Sequence, residues 1–426
     1  MLDIQYIRDN PEEVIAAAAR KKCVDADIRG ILAVDARWRE GIKEVERLKN
    51  VRNTRSAEVA RLKKEKKDAD ALIAEMKQVS DSIKELDEKN GEEKRLLDGL
   101  MARVPNIPHE SVPRGESARD NVVVSEWGTA PEFDFKPKDH IELGTTLDII
   151  DFPRGAKAAG AGFPVLKGAG ALLERALINF FLDTHTRRHG YTEIFPPFLA
   201  NRESLYGIGQ LPKFEEQMYY IGEDDLFCIP TAEAPVTNLH RDETLELSKL
   251  PINYCAYSAC FRREAGSYGK DTKGFLRVHQ FNKVELVKFV EPERSYEEHE
   301  KLRADAEYIL QALNLKYRVL LLCDADLSFS AAKCYDLEAW APAEEKFLEV
   351  SSCSNFEDFQ SRRLNIRYRD KESGKLRNIH TLNGSGLATA RIIVAILENY
   401  QTPAGSVKIP EVLRPYMNGI TEIAPR

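Results

Sequence analysis

The chain has 426 residues, 43% hydrophobic and 31% charged, with a formal net charge of -7. That length exceeds what one core usually sustains, so two or more domains are expected. The apolar runs fall far short of the roughly 20 residues that cross a bilayer, which excludes a spanning helix and argues against a membrane partner. Seven scattered cysteines without a C-x-x-C pair exclude a disulfide framework, and the acid-containing start MLDIQYIRDNPEEV excludes a secretory or transit leader; both readings point to the cytoplasm. Cys255 and Cys260, five apart on a strand, would face opposite ways, so no zinc site is expected there.

From the N-terminus, Leu2 to Lys22 reads as a short helix entry and a helix, with Asn10 as N-cap, Pro11 at the first helical position and Glu12 and Glu13 in the first turn. Two limbs with a heptad seam follow, over about residues 28–100. The first seam runs from Ile31 through Val34, Trp38, Gly41 and Val45 to Leu62; the second runs from Ala69 through Leu72, Met76, Val79 and Ile83 to Leu100. The polar stretch Lys63 to Asp68, with Asp68 or Asp70 as a cap, closes them as a hairpin. Limbs of about 35 residues reach on the order of 50 Å, so the arm must project.

The seam alone suits a dimerisation coiled coil or a spacer as well as a binding arm, and charge is what separates these readings. Residues 28–67 hold 13 Lys and Arg against 6 Asp and Glu, whereas 68–100 hold 5 against 10. Arg52, Arg55, Arg61, Lys63 and Lys64 crowd towards the tip, joined by Lys66 and Lys67. There they could hold a phosphate backbone by charge. Seam breaks fall at Gly41, Arg52, Arg55, Asn90 and Glu93, and Gly41 should lie level with Asn90 and Glu93 in a weak layer where the arm could flex.

Residues 104–131 read as a linker: Val104 to Gly128 is rich in Pro, Gly and Ser, with one apolar run. Beyond residue 132, helical patterns such as Gly168 to His189 and Tyr296 to Asn314 mix irregularly with β-rich runs such as Tyr254 to Phe261 and Phe281 to Val290. The expected class is therefore α+β, a mainly antiparallel sheet with flanking helices. Neither G-x-x-x-x-G-K-[ST] nor a strand-linked G-x-G-x-x-G occurs, so the two common nucleotide-binding devices are excluded.

Three runs carry a resemblance. GYTEIFPPFL (Gly190 to Leu199), FRRE with the later RVHQF (Phe261 to Glu264, Arg277 to Phe281) and NGSGLATAR (Asn383 to Arg391) resemble motifs 1, 2 and 3 of class II aminoacyl-tRNA synthetases, in order. With TAE at Thr231 to Glu233, the continuous run FRREAGSYGKDTKGFLRVHQFNKVE and EVSSCSN at Glu349 to Asn355, the chain is similar to the bacterial seryl-tRNA synthetase family over nearly its whole length, arm included. The resemblance implies a class II catalytic domain over 132–426, a tRNA-binding domain over 1–103, and activation of L-serine with ATP before transfer to tRNA(Ser) and, where it exists, tRNA(Sec). Motif 1, with Pro197, implies a homodimer.

The same resemblance assigns residues. Arg262 and Arg391 are the catalytic arginines: Arg262 would bridge the α-phosphate and the amino-acid carboxylate with its planar fork, and Arg391, at a helix start, would hold the γ-phosphate. Glu264 would read the adenine amino group and Phe281 stack on its ring, with Arg263, Val278, Val350 and Ser351 also along the ATP. Arg263, where Ser is common, should point away from the nucleotide on a strand. Glu349 and Ser352 would hold Mg²⁺ between phosphates. Thr231, Ala232, Glu233, Arg262, Glu285 and Ser385 would line the serine pocket, where a site built for a hydroxyl rejects alanine by up to about 10⁴ to 10⁵. Taken without the motifs, Arg262 and Glu264 read as a surface ion pair, Arg391 as a first-turn arginine, and Glu349 with Ser352 as polar strand ends. The competing functions are a ligase that loads an amino acid onto a carrier protein, a non-catalytic RNA-binding relative, and a coiled-coil scaffold that would account only for the first hundred residues.

Overall fold

A computed structural model describes residues 1–265 and 273–425 as two compact units, one over Leu2–Pro105 and the other over Asn106–Arg426 with Met1. Residues 266–272, part of the quoted motif 2 run, lie outside the described residues.

The first unit opens with two short helices, α1 (Ile4–Asp9) and α2 (Pro11–Arg20). Asn10 occupies the N-cap of α2 as read, but its amide makes no capping bond and instead donates back to the Tyr6 carbonyl at 3.2 Å. Pro11, Glu12 and Glu13 are left to start the helix. Helices α3 (Ile28–Lys64) and α4 (Asp70–Met101) form the arm, and every seam position of both limbs is buried or half-buried. Asp27 caps α3 by accepting from Gly30 N at 2.9 Å. At the turn, Ala69 takes the N-cap of α4. Asp68 only accepts from the Asp70 N–H at 2.9 Å, so neither of the aspartates expected to cap stands at the N-cap itself.

Ion pairs across the limbs, Arg37 with Glu93 at 2.9 Å and Lys49 with Asp87 at 3.6 Å, record the antiparallel register. Gly41 does lie level with Asn90. A Cβ at Gly41 would sit 1.9 Å from Asn90 Oδ1, so the glycine makes room for the asparagine, whose buried Nδ2 has no hydrogen-bond partner. The layer read as weak is filled in shape and deficient only in hydrogen bonding.

The second unit is built on an eight-stranded sheet: β1 (Val122–Trp127), β2 (Thr192–Ile194), β3 (Ile252–Phe261), β4 (Gln280–Val290), β5 (Tyr317–Leu321), β6 (Lys333–Ala341), β7 (Lys346–Asn355) and β8 (His380–Ala388), in the order β1-β5-β6-β7-β8-β4-β3-β2. All neighbours are antiparallel except β2 with β3. The apolar run inside the expected linker is β1, an edge strand, and Asn106 donates to the carbonyls of Ser330 and Phe356 at 3.0 and 2.8 Å. The linker reading over 104–131 is corrected to that extent. Three successive valines favour an extended backbone, and pairing with residues nearly two hundred positions later turns the run into sheet.

Helices α5 (His140–Thr146), α6 (Ala169–Arg187), α7 (Glu233–Thr237), α8 (Ser295–Ala312), α9 (Phe359–Leu364) and α10 (Thr389–Asn399) flank the sheet. Leu173, Leu177 and Phe181 of α6, Leu302 and Ile309 of α8 and Ile392 to Leu397 of α10 are all 0–1% exposed and form the main core with the inner face of β4. This packing holds β4 and β8, which carry Lys283, Glu285 and Ser385 of the polar residues described next.

Candidate active site

Strand register assembles the site. Cys260 of β3 faces Phe281, and Glu285 of β4 faces Ser385 of β8. Because side chains alternate along a strand, Phe281, Lys283 and Glu285 share one face, and Ser385 joins them from the paired strand. Thr231 reaches this face from the segment before α7, donating to Glu285 Oε2 at 2.8 Å, while its Oγ1 accepts from Lys283 Nζ at 2.9 Å and from the Glu233 N–H at 3.2 Å. Lys283 also pairs with Glu285. Glu233 accepts from Gln360 Nε2 of α9 at 2.6 Å. Ala232, Glu233 and Glu285 are all at most 6% exposed. Burial, and then the neighbouring Glu285, push the Glu233 carboxyl up to about 7.

The residues expected along ATP line an adjoining cleft of about 220 Å³: Arg262, Glu264, Val278, Phe281, Glu349, Val350, Ser351 and Arg391 are on its wall, with Lys283 and Ser385 where it meets this polar cluster. Two expected residues are not. Arg263 is exposed, its N–H donating to the Gln217 carbonyl at 2.9 Å, and Ser352 sits beside the cleft at 3.1 Å from Cys334 Sγ.

Strand β3 ends at Phe261, so Arg262 and Glu264 do not share a strand face as read. The Arg262 N–H donates to the His279 carbonyl at 2.9 Å, and its guanidinium lies 5.1 Å from the Phe281 ring centroid. Glu264 takes a positive φ of 50° and pairs with Arg277 at 3.0 Å. The ion pair weighed for Arg262 and Glu264 is therefore made by Glu264 and Arg277, a residue quoted in the motif and not singled out. Arg391, in the first turn of α10, donates to the carbonyls of Glu349 at 2.7 Å and Leu276 at 3.2 Å, which spreads it across the cleft.

Glu349 and Ser352, three apart, would face opposite ways on a regular strand. The register shift between Leu337 and Glu338 leaves Val350 without a partner, so Glu349 pairs with Glu338 and Ser352 with Asp336. This β-bulge puts Glu349, Ser352, Asp336 and Glu338 on one face. Burial, and next the charge of Glu349, push the Asp336 carboxyl well above the usual carboxylate range. Sequence reasoning missed Asp336, Lys283, Arg277 and Gln360. Of these, only Lys283 and Arg277 carried a local signal, as charges inside a quoted motif.

On the arm, Arg61, Lys63 and Lys64 are exposed at the end of α3. Arg52 is half-buried in the seam, and Arg55 is engaged by Glu58 at 2.9 Å and Glu75 at 3.8 Å. No helix among the described residues is long and apolar enough to cross a membrane.

Residues 1–108 match the family described as the seryl-tRNA synthetase N-terminal domain, and residues 215–400 match the tRNA synthetase class II core domain (G, H, P, S and T). A serine-tRNA ligase of Chloroherpeton thalassium is 59% identical over 98% of this chain and 99% of its own, and one of Thermoanaerobacter pseudethanolicus is 56% identical over 98% of each. Among solved structures, seryl-tRNA synthetase from Pyrococcus horikoshii complexed with ATP aligns with a TM-score of 0.94 at 41% identity, covering 100% of both chains. Cytoplasmic serine-tRNA ligase from Naegleria fowleri in complex with AMP gives 0.89 at 30% identity, over 100% of this chain and 99% of that one.

Proposed function

This chain belongs to the seryl-tRNA synthetase family, and we propose that the cleft and polar pocket around Arg262 are where it performs the family's reaction. It is a class II serine-tRNA ligase: it activates serine with ATP and charges tRNA with the product. The observation that carries the assignment to these residues is the junction of two unlike compartments. A cleft of about 220 Å³ lined by Arg262, Arg277 and Arg391 meets, at Lys283 and Ser385, a buried cluster of two carboxyls and two hydroxyls.

In this reading Arg262 lies between the α-phosphate and the serine carboxylate and orients the carboxylate for in-line attack. Arg391 holds the outer phosphate, and Phe281, Val278 and Glu264 receive the adenine. Glu233 and Glu285 take the serine ammonium and hydroxyl, with Thr231 and Ser385 as hydroxyl partners and Ala232 closing the pocket. Lys283 offsets one of the two negative charges, leaving the pocket suited to a single cation. Glu349, Val350 and Ser351 form the wall beside the phosphates.

Magnesium fits the residues present. Glu349 and Ser352 share a face with Asp336, all offer hard oxygen donors, and the Glu349 charge that adds to burial in raising the Asp336 carboxyl would be offset by a divalent cation. Glu349 and Ser352 would hold it, and when bound it neutralises charge on the phosphates.

We assign tRNA binding to residues 1–103, with the exposed Arg61, Lys63 and Lys64 and the half-buried Arg52 and Arg55 towards the tip of the 28–100 arm as contacts to the backbone of tRNA(Ser), and of tRNA(Sec) where present. Chemistry is assigned to the body over 132–426, joined through 104–131. Phe195, 76% exposed, and Leu199, 41% exposed, follow the edge strand β2 in motif 1 and support a homodimer formed through that edge. The protein works in the cytoplasm in this account. Matching of the N-terminal family over 1–108 favours tRNA as acceptor over a carrier protein. Serine-dependent pyrophosphate exchange on Arg262→Ala tests the site: exchange should be abolished, and retained exchange would remove Arg262 from the chemistry.

A further inference from the structure

Behind the cleft lies a buried knot that none of the assigned roles uses. Glu398, near the end of α10, is 0% exposed, yet its carboxylate accepts four N–H donors: His140 N at 3.2 Å and His140 Nδ1 at 3.1 Å on one oxygen, and Ala343 N at 3.0 Å and Glu344 N at 3.4 Å on the other. His140 is also 0% exposed, and its Nε2 accepts from the Phe275 N–H at 3.2 Å, which fixes the proton on Nδ1, facing Glu398. Four segments meet here: the start of α5 with His140, α10 with Arg391, the hairpin of β6 and β7 that leads into Glu349, and residues 275–278 of the cleft wall. Phe275 and Leu276 line the cleft, and the Leu276 carbonyl receives Arg391 Nε.

We propose that Glu398 and His140 are positioning residues for ATP: through two buried side chains they set the spacing between Arg391, the Glu349 hairpin and the Phe275–Leu276 wall. This rests on the placement of ATP in the cleft. A metal ion at His140, Glu344 and Glu398 would be the other use of the cluster, whose ligand atoms lie within 4.8 Å of one another. Both imidazole nitrogens are already engaged, so the hydrogen-bonded arrangement accounts for the histidine without one. None of the groups in the knot touches Thr231, Glu233, Glu285 or Ser385, so its loss should be felt by ATP and not by serine.

The test is pyrophosphate exchange with ATP and serine varied in turn. His140→Asn keeps a donor near the Nδ1 position and cannot reach Phe275. Gly274→Ala attacks the same contact from the other side, where a Cβ would lie 2.2 Å from His140 Nε2 on a backbone at φ 56°. Each should raise KM for ATP about tenfold and move KM for serine by less than about twofold. His140→Gln, whose longer amide can accept from Phe275, should recover part of the loss. Parallel rises in both KM values, or a lowered Tm with both KM values unchanged, would overturn the proposal. Phe281→Ala serves as the control: if it shifts KM for ATP and the other variants do not, the positioning role alone fails, whereas if none of them does, the placement of ATP fails with it.

Discussion

Replacing Glu233 with Gln should abolish a pH dependence of serine binding that the pocket builds in. Burial, and the adjacent Glu285, hold the Glu233 carboxyl near 7 instead of 4.5, so below neutrality it is a neutral acid and above it a second negative charge. Serine arrives with a cationic ammonium, which is attracted to the ionised form. Between pH 6 and pH 8 the ionised fraction of a group titrating at 7 rises from about one tenth to about nine tenths, so KM for serine should fall about tenfold over that range. Gln is isosteric, can still accept from Gln360, and is neutral throughout; its KM should be high and flat. The assay is serine-dependent pyrophosphate exchange at saturating ATP, without tRNA. A flat wild-type profile, or an equal slope in Glu233→Gln, would show that ionisation of Glu233 does not govern serine binding. Stability without ligands carries the opposite sign. The folded chain keeps this proton to higher pH than the unfolded chain, so the contribution is complete below about 4.5 and lost as pH rises through about 7, and wild-type Tm should fall more than that of Glu233→Gln across the window.

Arg262→Lys should reduce exchange by about 100-fold or more, because a point charge cannot bridge two oxygen-bearing groups with paired bonds, and near-normal exchange would contradict the bridging role. Replacing Val45 to Leu86 by a short turn should leave exchange within about twofold and lower charging of tRNA by at least about 100-fold; loss of both activities would overturn the division of labour between arm and body. Gly41→Ala alone should destabilise the arm, since its Cβ would lie 1.9 Å from Asn90 Oδ1. Combined with Asn90→Ala, which also removes an unpartnered amide nitrogen, it should stabilise the arm by about 1 kcal/mol or more. Hydrogen exchange of α3 and α4 measures this, and greater lability in the double variant would count against the reading of that layer.

What could be read from the residues was what repeats locally. The heptad seam from Ile31 to Leu100 declares itself because each apolar side chain must find the facing limb at a fixed period, and every position so named is at least half-buried. Motif runs singled out the arginines, Phe281 and the residues of the polar cluster for the same reason: each lies inside one contiguous run. The misses are features set by pairing at long range. Gln360 meets Glu233 across 127 residues, β1 becomes sheet only by pairing with β5, and Glu349 shares a face with Ser352 only because the register slips at Val350. Alternation on an ideal strand predicts the contrary for that pair. Asp68 and Asp70 carried the right chemistry for a cap, but one residue of offset gave the position to Ala69.

The measurement that bears most directly on the account is charging of total bacterial tRNA by the full chain with labelled serine, ATP and Mg²⁺, with alanine and threonine run alongside. The account predicts acid-precipitable serine, with alanine disfavoured by about 10⁴ or more; serine-dependent pyrophosphate exchange with no charged tRNA, or equal charging by alanine, would contradict it.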